Sequence, residues 1–256
     1  YEIASCLVGS EMCIRDRKGT NMSKYKYLLF DIDDTLINFE KSFHNCAAKV
    51  LELGGCEITD RNVRRFKELN DIVWFSSGLE DIYEPYIKEN YHRLYHKYVE
   101  DSLDKAINEF GLKGNYDDLM TCFNHSLGEE AYVNENAVKV LNILKDKYTL
   151  AVATNGLTII QPYKLTKLPK VFDKIFISEE MNCMKPYPEY FKYITGYFNC
   201  QPEECLMIGD SLVNDIGGAG NSGIDSCYYN PGYLKKKAEI QPVYEIHDFV
   251  ELLDIV

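Results

Sequence analysis

The sequence predicts an α/β fold in which a parallel sheet is interrupted, just after its first strand, by a helical insert. Three observations carry this reading. Short apolar runs of strand character recur along the chain and, in its second half, alternate with stretches of helical period, the pattern of strands joined by crossover helices. Four of these runs break off abruptly into polar residues, as strands of an open parallel sheet do where they face a ligand at their carboxyl ends. The first two of those strand ends, at Asp31 and Thr154, lie much further apart than the roughly 30 residues a strand–helix–strand unit needs.

The first strand is read over Tyr27 to Ile32, where Leu28, Leu29 and Phe30 give way to Asp31, Asp33, Asp34 and Thr35. Asp31 and Asp33 leave the strand end on one side, because side chains of an extended chain repeat every two residues. Two carboxylates side by side at low dielectric call for a metal ion, a shared proton or a cationic ligand. A plain acidic turn after a strand is the simpler alternative. The insert follows, from about Phe39 to Tyr132. Phe43, Ala47, Val50 and Leu51 share one helical face, as do Val63, Phe66 and Val73, and Ile87, Tyr91, Leu94, Tyr95 and Tyr98. Gly54-Gly55 and Ser76-Ser77-Gly78 punctuate these helices, and Thr59 and Asp101 are expected helix caps.

After the insert come a helix at 134–147, a strand at 149–154 ending in Thr154-Asn155-Gly156, and a helix at 157–168. A strand at 174–178 then leads through Glu179 to Met184 into Lys185-Pro186, with a helix at 187–198. The last units are a strand at 205–209 running into Gly209-Asp210-Ser211-Leu212-Val213-Asn214-Asp215, a helix at 212–222 and a strand at 224–229. The late glycines, among them Gly209 and Gly218, read as turns and close helix-to-sheet packing. There are no internal repeats and no low-complexity tract.

In this order, the segments Asp31 to Thr35, Thr154 to Gly156, Lys185-Pro186 and Gly209 to Asp215 resemble the four motifs of the haloacid dehalogenase superfamily of phosphohydrolases, over residues 27 to about 230. Within it, Thr154-Asn155-Gly156, Ile177-Ser178-Glu179-Glu180 ahead of Lys185-Pro186, and the pairing of Asn70 with Trp74 look most like the pyrimidine 5'-nucleotidase group. The resemblance implies a Rossmann-like core formed by residues 22–38 and 133–256, with the helical insert, residues 39–132, as a cap over the active site.

The resemblance also implies a Mg²⁺-dependent phosphomonoester hydrolase working through an aspartyl-phosphate. Asp31 would be the nucleophile, since an ionised carboxylate needs no deprotonation. Asp33 would protonate the leaving alcohol and then activate water. Magnesium takes a few oxygen ligands and keeps some waters. Asp31, the backbone carbonyl of Asp33, and Asp210 would hold it, with Asp215 orienting the site or binding through water. Asp215 could instead cap the next helix. Thr154 and the backbone N–H groups of Asn155 and Gly156, placed before a helix whose free amides favour phosphate, would bind the transferring group together with Lys185. Thr35 reads as a structural hydrogen-bonder and Pro186 as a first-turn residue of the next helix. The rivals are a phosphatase for another small metabolite, such as phosphoglycolate or a sugar phosphate, and a phospho-acceptor signalling protein without turnover. Asp33 and the large insert speak against the latter, and Asp33 with Asp210 against a dehalogenase.

Other residues carry less. His92 and His96 share a helical face but have no evident third ligand, so no zinc site is expected. Tyr91, Tyr95 and Tyr98 read as core of the insert rather than as a base-stacking surface, and Trp74, the single Trp, packs internally or faces the site. A formal net charge of −12 argues against a nucleic-acid polymer as partner, because such interfaces depend on Lys and Arg neutralising phosphates. A small phosphomonoester remains compatible where a metal and a lysine supply local positive charge. Nine cysteines without a Cys-x-x-Cys pair point to reduced thiols and a cytoplasmic protein. No apolar run approaches the roughly 20 residues of a membrane span. Residues 1–21 lack an initiating Met and any regular period, precede Met22, and are read as a non-native or disordered extension outside the fold. Whether the protein is a monomer or a homodimer is not legible.

Overall fold

The computed structural model describes residues 24–234 and 239–256; the expectation for residues 1–21 lies outside them. In chain order, β1 (Tyr27–Phe30) is followed by β2 (Ile37–Asn38), α1 (Phe39–Leu53), α2 (Asp60–Ser77), α3 (Pro85–Phe110), α4 (Tyr116–Glu129) and β3 (Tyr132–Val133). Next come α5 (Glu135–Leu144), β4 (Thr149–Thr154), α6 (Gln161–Leu165), β5 (Lys174–Ile177), α7 (Ser178–Met181) and α8 (Pro188–Phe198). The chain continues through β6 (Cys205–Gly209), a π-helical turn (Leu212–Gly217) that runs into α9 (Gly218–Gly220), β7 (Asp225–Tyr229) and β8 (Tyr244–Ile246).

Six strands form one parallel sheet in the order β5-β4-β1-β6-β7-β8. Both faces are covered, which is why the strands read as continuous apolar runs. Leu28, Phe30, Leu150, Leu206 and Ile208 pack on one side with Val140 and Leu141 of α5, while Leu29, Ala151, Ala153 and Met207 pack on the other with Tyr190, Phe191 and Ile194 of α8. The chain builds outward from β1 to β4 and β5, then returns to add β6 on the opposite side of β1. That reversal opens a crevice at the carboxyl ends of β4, β1 and β6, the place where open α/β sheets bind ligands. The register brings the ends level: Phe30 pairs with Val152 on one side and Ile208 on the other.

The four helices α1 to α4 leave and rejoin the core through β2 and β3, which pair antiparallel as a two-stranded ribbon. Their apolar stripes converge on Phe43, Phe66 and Phe123, whose rings stack or meet edge to face at 5.6–6.1 Å. Thr59 caps α2 as expected, its side chain accepting from the Asn62 N–H. Asp101 does not cap a helix. No breaker stands between Pro85 and Gly111, so α3 runs through it, and Asp101 pairs with Lys97 one turn back.

Other boundaries differ from expectation for local reasons. The helix anticipated at 157–168 contracts to α6, because Leu157 and Ile160 are drawn into the core of the insert and the chain turns before it can coil. The helix at 212–222 opens as a π-helical turn capped by Ser211. Pro186 is not in a helix: the Lys185–Pro186 bond is cis, and Pro188 takes the first turn of α8. The edge strand β8 was not anticipated. Among the described residues no helix is long and apolar enough to cross a membrane, and all seven cysteines there are free thiols.

Candidate active site

β1 ends one residue before Asp31, whose N–H donates to the Ile208 carbonyl at 2.9 Å and so fixes the carboxylate at the mouth of the crevice. Asp31 is buried, and Lys185 reaches it from the segment after α7. The Lys185 ammonium, 2 % exposed, donates to Asp31 Oδ1 (2.6 Å), Asp215 Oδ1 (2.6 Å) and the Ala153 carbonyl (2.7 Å). Its three hydrogens are thus taken by the protein, and its charge is spent between two carboxylates. Burial works against that charge, but Asp215 and Asp31 outweigh it and hold the ammonium protonated well beyond its ordinary range.

Asp31, Asp210 and Asp215 bring carboxylate oxygens within 4.8 Å of one another. Burial, offset in part by Lys185, pushes the Asp31 carboxyl up to about 7, and burial together with Asp31 and Asp215 raises Asp210 well above the usual carboxylate range. Three acids facing one ammonium leave an excess of negative charge on hard oxygen donors, the donor set that suits a small divalent cation. Thr35, fully buried, donates from Oγ1 to Asp210 Oδ1 at 3.1 Å, in keeping with a structural part. Asp215 accepts from the Ser211 N–H at 2.9 Å within the π-helical turn, while Ser211 itself is the cap; the alternative in which Asp215 caps that helix is therefore set aside. Gly209 makes room for this arrangement, since a Cβ there would lie 2.2 Å from Asp215 Oδ2.

Asp33 points elsewhere, and its side chain is not in the acidic cluster. Both its oxygens accept from Lys164 Nζ (2.6 and 2.8 Å), and Oδ2 also accepts from Gln161 Nε2 (3.1 Å). Thr154 is buried at the end of β4, and Asn155 pairs through its side-chain amide with the backbone N–H and carbonyl of Lys185 (2.8 and 2.7 Å), tying two of the motif loops together. The Asn155 and Gly156 amides do not open a helix, because α6 starts only at Gln161; the expected helix-terminus phosphate cradle is absent.

Asp31, Asp33, Thr154, Asn155, Lys185, Asp210 and Asp215 line a cavity of ≈ 480 Å³ that the insert borders on its other side. Asn70, Trp74, Tyr91, Tyr95 and Tyr98 line that side. The tyrosine stripe read as core is core and cavity wall at once. Trp74 stands edge to face with Tyr95 and Tyr98, and its Nε1 donates to Glu80 at 3.0 Å. His92 and His96 hydrogen-bond to Ser178 (2.9 Å) and Glu179 (2.5 Å) of the core. Sequence reasoning missed Gln161 and Lys164, and named Glu179 only as part of a motif, not for its bonds to His96 and Thr158. Only the three-residue spacing of Gln161 and Lys164 behind the Thr154 loop hinted at the first two.

The haloacid dehalogenase-like hydrolase family matches residues 28–229. The pyrimidine 5'-nucleotidase PynA of Streptococcus pneumoniae is 30% identical over 237 residues, covering 90% of this chain and 94% of that protein. A glyceraldehyde 3-phosphate phosphatase of Pyrococcus furiosus is 28% identical over 232 residues, covering 90% of each. Among solved structures, the magnesium-bound protein YfnB of Bacillus subtilis, described as revealing interdomain movement, superimposes with a TM-score of 0.74 at 28% identity, covering 90% of this chain and 98% of that one.

Proposed function

The chain belongs to the haloacid dehalogenase-like hydrolase family, and from that premise we propose that it is a Mg²⁺-dependent phosphomonoester hydrolase whose substrates are pyrimidine nucleoside 5'-monophosphates. One observation carries the phosphatase reading: the buried carboxylate Asp31 at the end of β1 is flanked by Lys185, Asp210 and Asp215, and a second carboxylate, Asp33, lines the same cavity. An Asp31 oxygen attacks phosphorus as the bond from phosphorus to the leaving alcohol breaks, and a proton from Asp33 passes to that alcohol. Asp33, now a carboxylate, takes a proton from water, whose oxygen attacks phosphorus; the bond to Asp31 breaks and inorganic phosphate leaves. Asp31, Asp210 and the Asp33 carbonyl would hold Mg²⁺, which when bound offsets the repulsion between carboxylate and phosphate. Thr154 and the loop amides would orient the phosphate.

Support for the pyrimidine class comes from the far end of the cavity and from the likeness to PynA. A volume of ≈ 480 Å³ suits one small ligand. Trp74, Tyr95 and Tyr98 offer aromatic surface to a planar ring. The Tyr98 hydroxyl donates to Asn70 Oδ1 at 2.8 Å, which leaves the Asn70 amide nitrogen as the group a ring carbonyl would meet. The test is kcat/KM with Mg²⁺ across monoesters. Uridine and cytidine 5'-monophosphates are expected to exceed purine monophosphates, phosphoglycolate and hexose phosphates. A better rate for phosphoglycolate or a hexose phosphate overturns the substrate class. Asp31→Asn is expected to abolish turnover with the fold intact; activity within about tenfold of the parent overturns the nucleophile assignment.

A further inference from the structure

We propose that Gln161 and Lys164, on one face of α6, are positioning residues that tie the acid–base carboxylate Asp33 to the phosphate-binding hydroxyl of Thr154. The inference rests on the reading of Asp33 and Thr154 given above. Lys164 is 3 % exposed, yet its ammonium hydrogen-bonds to a single partner, both oxygens of Asp33, and lies 5.8 Å from the ring centroid of Phe39. A lysine placed so deep needs a carboxylate, and a two-point contact fixes the plane of that carboxylate as well as its place.

Gln161 is 1 % exposed, and its Nε2 donates to Asp33 Oδ2 at 3.1 Å and to Thr154 Oγ1 at 2.7 Å. The Lys164 ammonium only donates, and with the Gln161 amide nitrogen set toward Asp33 and Thr154 both α6 side chains donate to the same carboxyl group. Both amide hydrogens are then used. Thr154 Oγ1 is made an acceptor from below, and its own hydrogen is left to go to a third atom on the cavity side. Gln161 Oε1, at the other end of the same amide, is buried with no partner among the described residues. A buried acceptor left unpaired is costly, so this amide is not arranged for its own stability. It is arranged for Asp33 and Thr154.

Without α6 nothing else among the hydrogen bonds described holds the Asp33 side chain. Its aim at a leaving-group oxygen therefore depends on Lys164 and Gln161, neither of which needs to touch substrate. The consequence is specific to the leaving group. The value of kcat/KM covers the steps up to phosphoenzyme formation; p-nitrophenolate departs without a proton, whereas the 5'-alkoxide of a nucleotide does not.

The test compares Lys164→Met, Lys164→Arg and Gln161→Leu with the parent on p-nitrophenyl phosphate and uridine 5'-monophosphate, with Mg²⁺, after thermal melting has confirmed folding. For Lys164→Met we expect kcat/KM on the nucleotide to fall about 100-fold and on the aryl ester by less than about tenfold, in line with the share of general acid catalysis. Lys164→Arg should recover part of the nucleotide rate, since it can still engage both carboxylate oxygens. Gln161→Leu should raise KM for both esters more than it lowers kcat, because it frees the Thr154 hydroxyl. Equal losses on the two esters, no loss, or an arginine variant as poor as the methionine one overturns the proposal. If Lys164→Met melts below the assay temperature, Lys164→Gln carries the same comparison. Turnover of neither ester by the parent, or full activity in Asp31→Asn, overturns the phosphatase reading itself and this inference with it.

Discussion

At the scale of single residues, the site is a problem of charge. Asp31 and Asp210 are carboxyls that burial pushes upward, Asp31 from an ordinary 3.8 to about 7. A carboxyl whose folded value lies above its unfolded one keeps protons in the folded state that the unfolded chain releases. Between about pH 4 and pH 7 the metal-free protein should therefore lose stability as pH rises. A cation that binds only the folded form reverses this, and it competes with protons for the same oxygens. Mg²⁺ is accordingly expected to raise the melting temperature more at about pH 8 than at about pH 5. Calorimetry with and without Mg²⁺ checks it, and an equal gain at both values would place the ion elsewhere. Asp31 and Asp210 could be read as candidates from the sequence because each stands just after a strand end, and Asp215 because it closes the Gly209–Asp215 motif. The bond from Lys185 to Asp31 could not, because nothing local relates residues 154 positions apart.

At the scale of elements, α6 is short and its position is set from outside. It lies against α4, and Gly128 of α4 is the contact: a Cβ at that position would sit 2.2 Å from Tyr163 Cβ and 2.8 Å from the Lys164 backbone nitrogen. Gly128→Ala should therefore cost about 1–3 kcal/mol, the usual range for forcing atoms into a packed contact, and should lower kcat by displacing Lys164. Calorimetry and steady-state kinetics on the same variant check both; an unchanged melting temperature would mean that α4 and α6 separate freely. No local pattern announces this contact. Helical period foretold α1, α2 and the first half of α3, whose stripes are regular, but not α4, and the helix expected at 157–168 shortens because the burial of Leu157 and Ile160 depends on the helices of the insert, far back in the chain.

For the whole molecule, the insert meets the core through the buried side chains of Leu157 and Ile160 and through several polar contacts as well. His92 meets Ser178 and His96 meets Glu179. Tyr187 donates to the Ile82 carbonyl at 2.7 Å, and the Lys88 ammonium lies 3.8 Å from the Tyr187 ring centroid. Glu179 also accepts from the Thr158 N–H and hydroxyl at 2.7 Å each, so one carboxylate joins α3, the loop after β4 and α7. Glu179→Ala is expected to loosen this closure, raising KM several-fold with a smaller change in kcat and increasing the radius of gyration in small-angle scattering. No change in either measure would show that the apolar packing of the insert holds it down alone.

The sequence by itself determined the sheet, the helical insert and the acidic and polar groups at the strand ends, because these follow from periodicity and from the chain's rule that side chains alternate along a strand. It also marked Thr59 as a cap, since a cap bonds within its own turn. The partnership of Lys185 with Asp31 and Asp215, the turn of Asp33 toward Lys164, the double use of Tyr91, Tyr95 and Tyr98 as core and wall, and the docking of His96 on Glu179 were decided only by the tertiary structure. The bonds among these join residues 30 to 154 positions apart, and contacts at such separations depend on how whole elements pack, which no local pattern encodes.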